Sequence, residues 1–254
     1  MNFAGKLAVI TGGAGGIGRC VAQAFVNAGA DVVVIDTDKA AGKALEACFD
    51  NFCFFHGDVA EKAALEKLVS ALSRPVDVLV NNACVSRGGL LSGCPWEDFE
   101  YVQRVGVSAP YYLTSLLVQN SLLSKGASII NIASTRAFQS QPDTESYSAA
   151  KGGIIALTHS MAVSLAGRAR VNSISPGWIE TASYHMGASA AVQSEQDKTQ
   201  HPAGRVGRPE DIAGMALYLC SEQSDFITGE NIAIDGGMSK LMIYHGDLGW
   251  KLEK

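Results

Sequence analysis

The sequence has no excess of basic residues. Lysine and arginine number 20 against 25 aspartates and glutamates, which gives a formal net charge of −5. A general nucleic-acid or acidic-membrane binder carries the opposite balance, so neither partner is expected. No apolar run approaches the ~18 residues that span a bilayer. The first residues, "MNFAGKLAVIT", also lack the charged region, long apolar region and cleavage site of a signal peptide. We therefore expect a cytoplasmic protein.

The cysteines and histidines, which are common metal ligands, lack the sequence spacing of a metal site. The six cysteines include no CxxC pair, and the five histidines are far apart in the sequence. We interpret the cysteines as reduced thiols, most of which fill the core. No metal site is expected.

What the sequence does have is a regular alternation of short apolar runs and longer helical patterns. Seven runs are typical of strands, and they are apolar without alternation, as in strands covered on both faces: "KLAVIT", "DVVVID", "FCFFHGD", "VDVLVNNA", "ASIINIAS", "RVNSIS" and "ENIAIDGG". This order predicts an α/β fold, a doubly wound parallel β-sheet of the Rossmann type with about seven strands and helices on both faces. With no linker or repeat, residues 1–254 are expected to form one domain with a C-terminal tail, 237–254.

A glycine-rich turn, "ITGGAGGIG", leads from the first strand into the first helix. Two registers fit it, either Gly13, Gly15 and Gly18 or Gly12, Gly16 and Gly18. In both, the glycines let a pyrophosphate approach backbone N–H groups at a helix N-terminus. Asp36 ends the second strand, where a carboxylate accepts hydrogen bonds from a ribose 2′-hydroxyl and repels a 2′-phosphate. We therefore interpret this segment as an NAD-binding turn rather than as an ordinary turn followed by an aspartate that caps a helix.

A second motif, "SYSAAKGG", places Tyr147 and Lys151 on one face of a helix. Alone, such a pair is more often an exposed aromatic–cation contact. Two features favour a site. The neighbouring residues are small, and Ser134 ends the fifth strand, at the sheet edge where doubly wound folds bind ligands.

Together these motifs resemble the short-chain dehydrogenase/reductase family over nearly the whole chain. The resemblance rests on "TGGAGGIG", Asp58-Val59, "NNA" at 81–83, Ser134, Tyr147-x-x-x-Lys151 and "PGWIET" at 176–181. It implies an NAD-dependent oxidoreductase of secondary alcohols or ketones, with catalytic Ser134, Tyr147 and Lys151. Lys151 also binds the nicotinamide ribose in this interpretation. The implied cofactor-binding residues are Gly12, Gly15, Gly16, Ile17, Gly18, Asp36, Asp58, Val59, Asn81, Ala83, Tyr147, Lys151, Pro176, Gly177, Ile179 and Thr181.

The chain departs from the family pattern at two positions. Cys84 stands where the family usually has glycine, and its thiol either packs under the nicotinamide ribose or is sensitive to oxidation. Gly106 stands where many members have a catalytic asparagine. Pro110 has no N–H to give the Gly106 carbonyl. We expect this pair to preserve a helix kink and a water that connects Lys151 to solvent; the alternative is close helix packing with catalysis lost.

Several interpretations remain open on the sequence alone. The rival functions are a regulatory dinucleotide-binding protein and a carrier-linked ketoacyl reductase, although the latter usually prefers NADP. Arg136 and Arg87 are candidates for binding an anionic substrate, and a loop from about residue 183 to 203 is expected to cover it. The segments "WEDFEYV" and "YYLTSLLVQNSLL" either belong to the core or, by the resemblance, form the interface of a homodimer or homotetramer.

Overall fold

The computed structural model describes residues 1–189 and 191–242 and contains the predicted seven-stranded sheet. The strands are β1 (Leu7–Thr11), β2 (Asp31–Asp36), β3 (Phe52–His56), β4 (Val76–Asn81), β5 (Leu123–Ile132), β6 (Ala169–Pro176) and β7 (Asn231–Ile234). They lie in the order β3-β2-β1-β4-β5-β6-β7, and every neighbouring pair is parallel. The strand order reverses between β1 and β4, and in such sheets ligands bind at the carboxyl ends of the strands beside that reversal.

Helices cover both faces of the sheet. They are α1 (Gly16–Asn27), α2 (Lys39–Glu46), α3 (Lys62–Ala71), α4 (Trp96–Gln103), α5 (Ala109–Gln119), α6 (Glu145–Ser164), α7 (Glu195–Thr199) and α8 (Pro209–Cys220). Ile10 of β1 belongs to a core cluster with Phe25 of α1 and Leu219 of α8. Its neighbour Val9 belongs to a second cluster with Leu68 of α3 and Leu113 of α5. Because successive strand residues pack into opposite core clusters, residues 7–10 of β1 and 32–35 of β2 are apolar without alternation. The predicted fold class is confirmed.

The helical segment around Gly106 is irregular. Residues Arg104–Ser108 form a π-helical turn between α4 and α5, and the Ala109 N–H donates to the Arg104 carbonyl five residues back. Such bulges widen a helix locally and break the regular hydrogen-bond ladder. Gly106 is buried there, and a Cβ added to it would lie 2.8 Å from the Cβ of Ala150 on α6. The expected interruption of the helix is therefore present, and it lies against the helix that carries Tyr147 and Lys151.

The C-terminal tail predicted for 237–254 is described only as far as residue 242. A short 3₁₀ turn spans Met238–Lys240, and residues 243–254 lie outside the described part of the chain. Within the described residues, none of the helices combines the length and the apolar character needed to cross a lipid bilayer.

Candidate active site

The glycine-rich turn between β1 and α1 is locked onto the end of β4. The Asn82 side-chain amide donates to the carbonyls of Thr11 (3.1 Å) and Gly12 (2.8 Å), and the Thr11 hydroxyl accepts from the backbone N–H of Asn82 and Ala83. Gly12 has φ +65°, and a Cβ on Gly18 would overlap the Gly12 carbonyl and the Asn82 amide. Glycine is thus required at 12 by conformation and at 18 by packing.

The N-terminus of α1 is open to an anion. Gly15 is its N-cap residue, with no side-chain cap, and no acidic residue lies in the first turn. Gly16 has φ +53°, a conformation that glycine adopts readily. The uncapped first-turn N–H groups and the positive end of the helix dipole together favour a bound phosphate group.

Asp36 projects from the end of β2 beside this turn. One carboxylate oxygen accepts from the Ala14 N–H and the other from the Asp38 N–H, both at 2.9 Å. These bonds hold the carboxylate at the rim of the cleft. Asp58, after β3, is held similarly, because it accepts from the Ala60 N–H and the Tyr101 hydroxyl, each at 2.8 Å.

The three predicted catalytic residues lie in the same cleft. Lys151 is only 3% exposed, its ammonium donates to the Ile132 carbonyl at 2.6 Å, and it lies 5.4 Å from the centroid of the Tyr147 ring. Ser134, 8% exposed, accepts from the Arg136 N–H at 3.1 Å, so its own hydroxyl hydrogen is not used in that bond. Tyr147 is half-buried, and its ring lines the cleft.

A chain of buried polar side chains fixes α6 against the sheet. Asn81 donates to Asn131 at 2.8 Å, Asn131 donates to Thr158 at 2.9 Å, and Thr158 donates to the Ile154 carbonyl at 2.7 Å. These bonds join β4, β5 and α6 in an interior where a shifted register leaves polar groups unpaired. The chain therefore sets the position of the helix that carries Tyr147 and Lys151.

The start of α6 is also tied to the loop that follows β4. Asp143, with φ +65°, accepts from the backbone N–H groups of Leu91 and Ser92, each at 2.9 Å. These hydrogen bonds hold the pKa of the Asp143 carboxyl below its usual value. Glu145 accepts from the Leu90 N–H at 3.1 Å. Four residues before Tyr147, the loop and the helix are thus one connected unit.

Nearly all the residues predicted from the sequence line one cleft of about 1150 Å³. The exceptions are Gly18, which packs beneath the turn, Asn81, which joins the buried polar chain, and Arg87, whose guanidinium lies 5.4 Å from the centroid of the Tyr101 ring. Arg136 does line the cleft and is paired with Gln141. Pro176 ends β6 and lines the cleft together with Gly177, Ile179 and Thr181, which follow the strand. Cys84 also lines the cleft and is exposed.

The cleft has further lining residues that the sequence analysis did not single out, including Asn82, Gln141, Trp178 and His185. Asn82 and Trp178 lie inside the motifs "NNA" and "PGWIET", so the sequence did contain a signal for these two residues. Gln141 and His185 lie in irregular segments with no pattern to mark them.

The residues present fit a dinucleotide. The uncapped helix N-terminus suits a diphosphate, and the Asp36 carboxylate suits a ribose hydroxyl. The buried Lys151 ammonium has three N–H bonds and one hydrogen-bond acceptor among the described residues, which leaves donors for a second ribose.

Comparisons with known proteins agree with this geometry. A family model described as enoyl-(acyl carrier protein) reductase matches residues 12–239. An uncharacterized oxidoreductase of Thermotoga maritima is 45% identical over 251 residues, which cover 94% of this chain and 98% of that protein. The apo SCOR enzyme of Clostridium thermocellum has a TM-score of 0.89 and 45% identity, with 98% of this chain and 99% of that chain covered.

A third similar protein carries a ligand. The 3-ketoacyl-(acyl-carrier-protein) reductase of Brucella melitensis, solved in complex with NADH, has a TM-score of 0.82 and 31% identity, and covers 94% of this chain and 100% of its own. Matches of this extent, with the glycine turn and the Tyr147–Lys151 pair in one cleft, identify the chain as an oxidoreductase of the nicotinamide-dependent short-chain dehydrogenase/reductase family.

Proposed function

We propose that the protein is an NAD-dependent oxidoreductase that interconverts a secondary alcohol and a ketone, with Tyr147 as general acid and base. The observation that carries this proposal is the single cleft that joins Asp36 at one end to Ser134, Tyr147 and Lys151 at the other. A dinucleotide has the same division into an adenine end and a reactive end.

Each catalytic residue has a role that its surroundings support. Lys151, fixed by the Ile132 carbonyl, places its ammonium 5.4 Å from the centroid of the Tyr147 ring, beside the residue proposed to carry the proton. Tyr147 gives a proton to the substrate oxygen or takes one from it, and Ser134 donates a hydrogen bond to the same oxygen. A nicotinamide cofactor bound in the cleft would supply or accept the hydride.

The preference for NAD rests on Asp36. Its carboxylate is held at the rim by two backbone N–H groups, so it cannot easily turn away from a ribose. A 2′-phosphate placed there meets a like charge at close range. An unmodified 2′-hydroxyl instead finds an acceptor.

A carrier-linked ketoacyl reductase is the second candidate, and the comparisons favour it specifically. The Brucella melitensis relative named for that activity was solved with NADH, so a protein of that kind binds the cofactor that Asp36 would favour. The paired Arg136 and Gln141 at the cleft wall instead support a smaller substrate with a carboxylate or another anion. Arg87, over the Tyr101 ring, is the weaker candidate for such contact.

We also propose that the chain forms a homodimer or homotetramer through the α4–α5 surface. Trp96 and Tyr111 are 68% and 58% exposed there. Aromatic residues of this kind are enriched in protein–protein interfaces. Sedimentation of the wild type, compared with a Trp96→Asp and Tyr111→Asp double variant, tests the proposal; a monomeric wild type contradicts it.

The function is tested by titrating the wild type with NADH and NADPH and then screening alcohols, free ketones and carrier-linked 3-ketoacyl substrates. We expect tighter NADH binding and turnover of at least one substrate class. Tyr147→Phe should abolish turnover on that substrate and leave NADH affinity nearly unchanged, because it removes the proton carrier and little packing. Activity retained by Tyr147→Phe contradicts the mechanism, and no turnover by the wild type favours the regulatory alternative.

A further inference from the structure

The imidazole of His185 lies on the glycine-rich turn. A Cβ added to Gly15 would lie 2.7 Å from Nδ1 and 2.8 Å from Cε1 of His185, and one added to Gly16 would lie 3.2 Å from Nε2. The edge of the ring that carries both nitrogens therefore faces the two glycines at the N-terminus of α1.

The contact with His185 distinguishes Gly15 from Gly16. Gly15 has φ −143° and ψ 170°, an extended conformation that any residue adopts, so the backbone does not require glycine. Gly16 does require it, because its φ is +53°. At Gly15 the obstacle to a side chain is the imidazole, whose ring edge lies in the space that a Cβ would need.

Hydrogen bonds fix the backbone of the segment that carries His185. The Ala182 N–H donates to the Glu180 carboxylate at 2.8 Å, and the His185 N–H donates to the Ala182 carbonyl at 3.0 Å. The Tyr184 hydroxyl donates to Glu210 on α8 at 2.7 Å and also contacts the Cys20 thiol of α1. The segment that carries His185 is thereby anchored to the two helices beside the cleft.

The ring nitrogens are available to a ligand. Among the described residues, neither has a hydrogen-bond partner, and His185 is exposed and lines the cleft. A neutral imidazole donates one N–H and an imidazolium donates two. An anion bound at the uncapped N-terminus of α1 is thus offered backbone donors from one side and the imidazole from the other.

We propose that His185 is a diphosphate-binding residue of the cofactor cleft. The inference rests on the dinucleotide site of the proposed function and adds a contact from the segment after β6. Its neighbour Met186 lines the same cleft, so the contact would bring the segment predicted to cover the substrate against the cofactor site.

The proposal is tested by calorimetric titration of the whole protein with ADP and with adenosine, which differ only in the diphosphate. His185→Ala should weaken ADP binding about tenfold, or ~1.4 kcal/mol, and change adenosine binding less than twofold. His185→Gln, which keeps a donor, should recover part of the loss. Ser183→Ala, an exposed change in the same segment that does not reach the cleft, is the control and should leave both affinities unchanged.

Two results would overturn the proposal: unchanged ADP affinity in His185→Ala, or equal losses for ADP and adenosine, which indicate loop packing alone. Neither probe contains nicotinamide or a 2′-phosphate, so such a failure leaves the proposed chemistry and the NAD preference intact. A wild type that binds NADPH more tightly than NADH contradicts the proposed function but not this contact. A wild type that binds neither ADP nor NADH contradicts both.

Discussion

Adding one methyl group at Gly106 tests how the π-helical turn and α6 fit together. In Gly106→Ala the new Cβ lies 2.8 Å from the Cβ of Ala150, whereas carbon atoms pack at about 3.5–4.0 Å. Neither atom belongs to a flexible side chain, so a helix must move. Overpacking of this kind costs about 1–3 kcal/mol, and the gain in helix propensity offsets about 1 kcal/mol. We expect a net loss of about 1 kcal/mol in the free energy of unfolding.

A matched control separates packing from propensity. Gly152 lies in α6 two residues beyond Ala150, and a Cβ added to it meets nothing within 4 Å. Gly152→Ala should therefore stabilise the protein by up to about 1 kcal/mol. The double variant Gly106→Ala/Ala150→Gly removes the clash. Its free energy of unfolding should therefore exceed, by about 1–3 kcal/mol, the value expected from adding the effects of the two single changes. Independent sites add to within about 0.5 kcal/mol.

The assay is urea unfolding at one fixed protein concentration, together with kcat on the best substrate found. Lys151 follows Ala150 directly, so a displaced α6 should disturb its bond to the Ile132 carbonyl and lower kcat in Gly106→Ala, with recovery in the double variant. Gly106→Asn adds the same Cβ and should therefore not improve activity. If Gly106→Ala stabilises the protein as much as Gly152→Ala does, the packing argument is wrong.

Four further changes address the proposed cofactor and substrate contacts. Asp36→Ala should narrow the ratio of NADH to NADPH affinity at least tenfold, because it removes both the acceptor and the repulsion; an unchanged ratio in calorimetric titration contradicts the role of Asp36. Lys151→Met should lower kcat and weaken NADH binding together, whereas a loss confined to kcat argues against its contact with the ribose. Arg136→Ala should raise KM severalfold for an anionic substrate and leave KM for a neutral substrate unchanged. Arg87→Ala is measured in the same assay. Equal changes in KM for the two substrates contradict the hypothesis of an anionic substrate.

The interior strands were predictable because burial on both faces leaves a strong pattern. "DVVVID" coincides with β2, since every residue between its terminal aspartates faces a core cluster or its margin. The fifth strand was less well predicted. It begins at Leu123 rather than near Ala127, because Leu123 pairs with Val76 across a register shift in a stretch that includes the exposed Lys125. Local sequence does not indicate pairing of that kind.

The arrangement of the candidate site was predictable where a single motif fixes the geometry. It was not predictable where segments distant in sequence come into contact. The Tyr147–Lys151 spacing places both residues on one helix face, whatever surrounds them. By contrast, "NNA" does not say which asparagine enters the cleft. The structure places Asn82 against the glycine turn and Asn81 in the interior, since successive residues at a strand end point to opposite sides. The contact of His185 with Gly15 joins positions 170 residues apart and has no periodic signal.

The buried chain from Asn81 through Asn131 to Thr158 restricts how this protein can evolve. Changing one member to an apolar residue leaves its neighbour buried without a partner, at about 1–3 kcal/mol. The free energy of unfolding of a native protein is only about 5–15 kcal/mol, so a single substitution of this kind removes a large part of the stability. Replacing the members together with apolar groups of similar shape is nearly neutral, but it requires simultaneous changes in β4, β5 and α6. Single substitutions in this chain therefore pass through less stable intermediates, and we expect sequence change to be slow at these three positions.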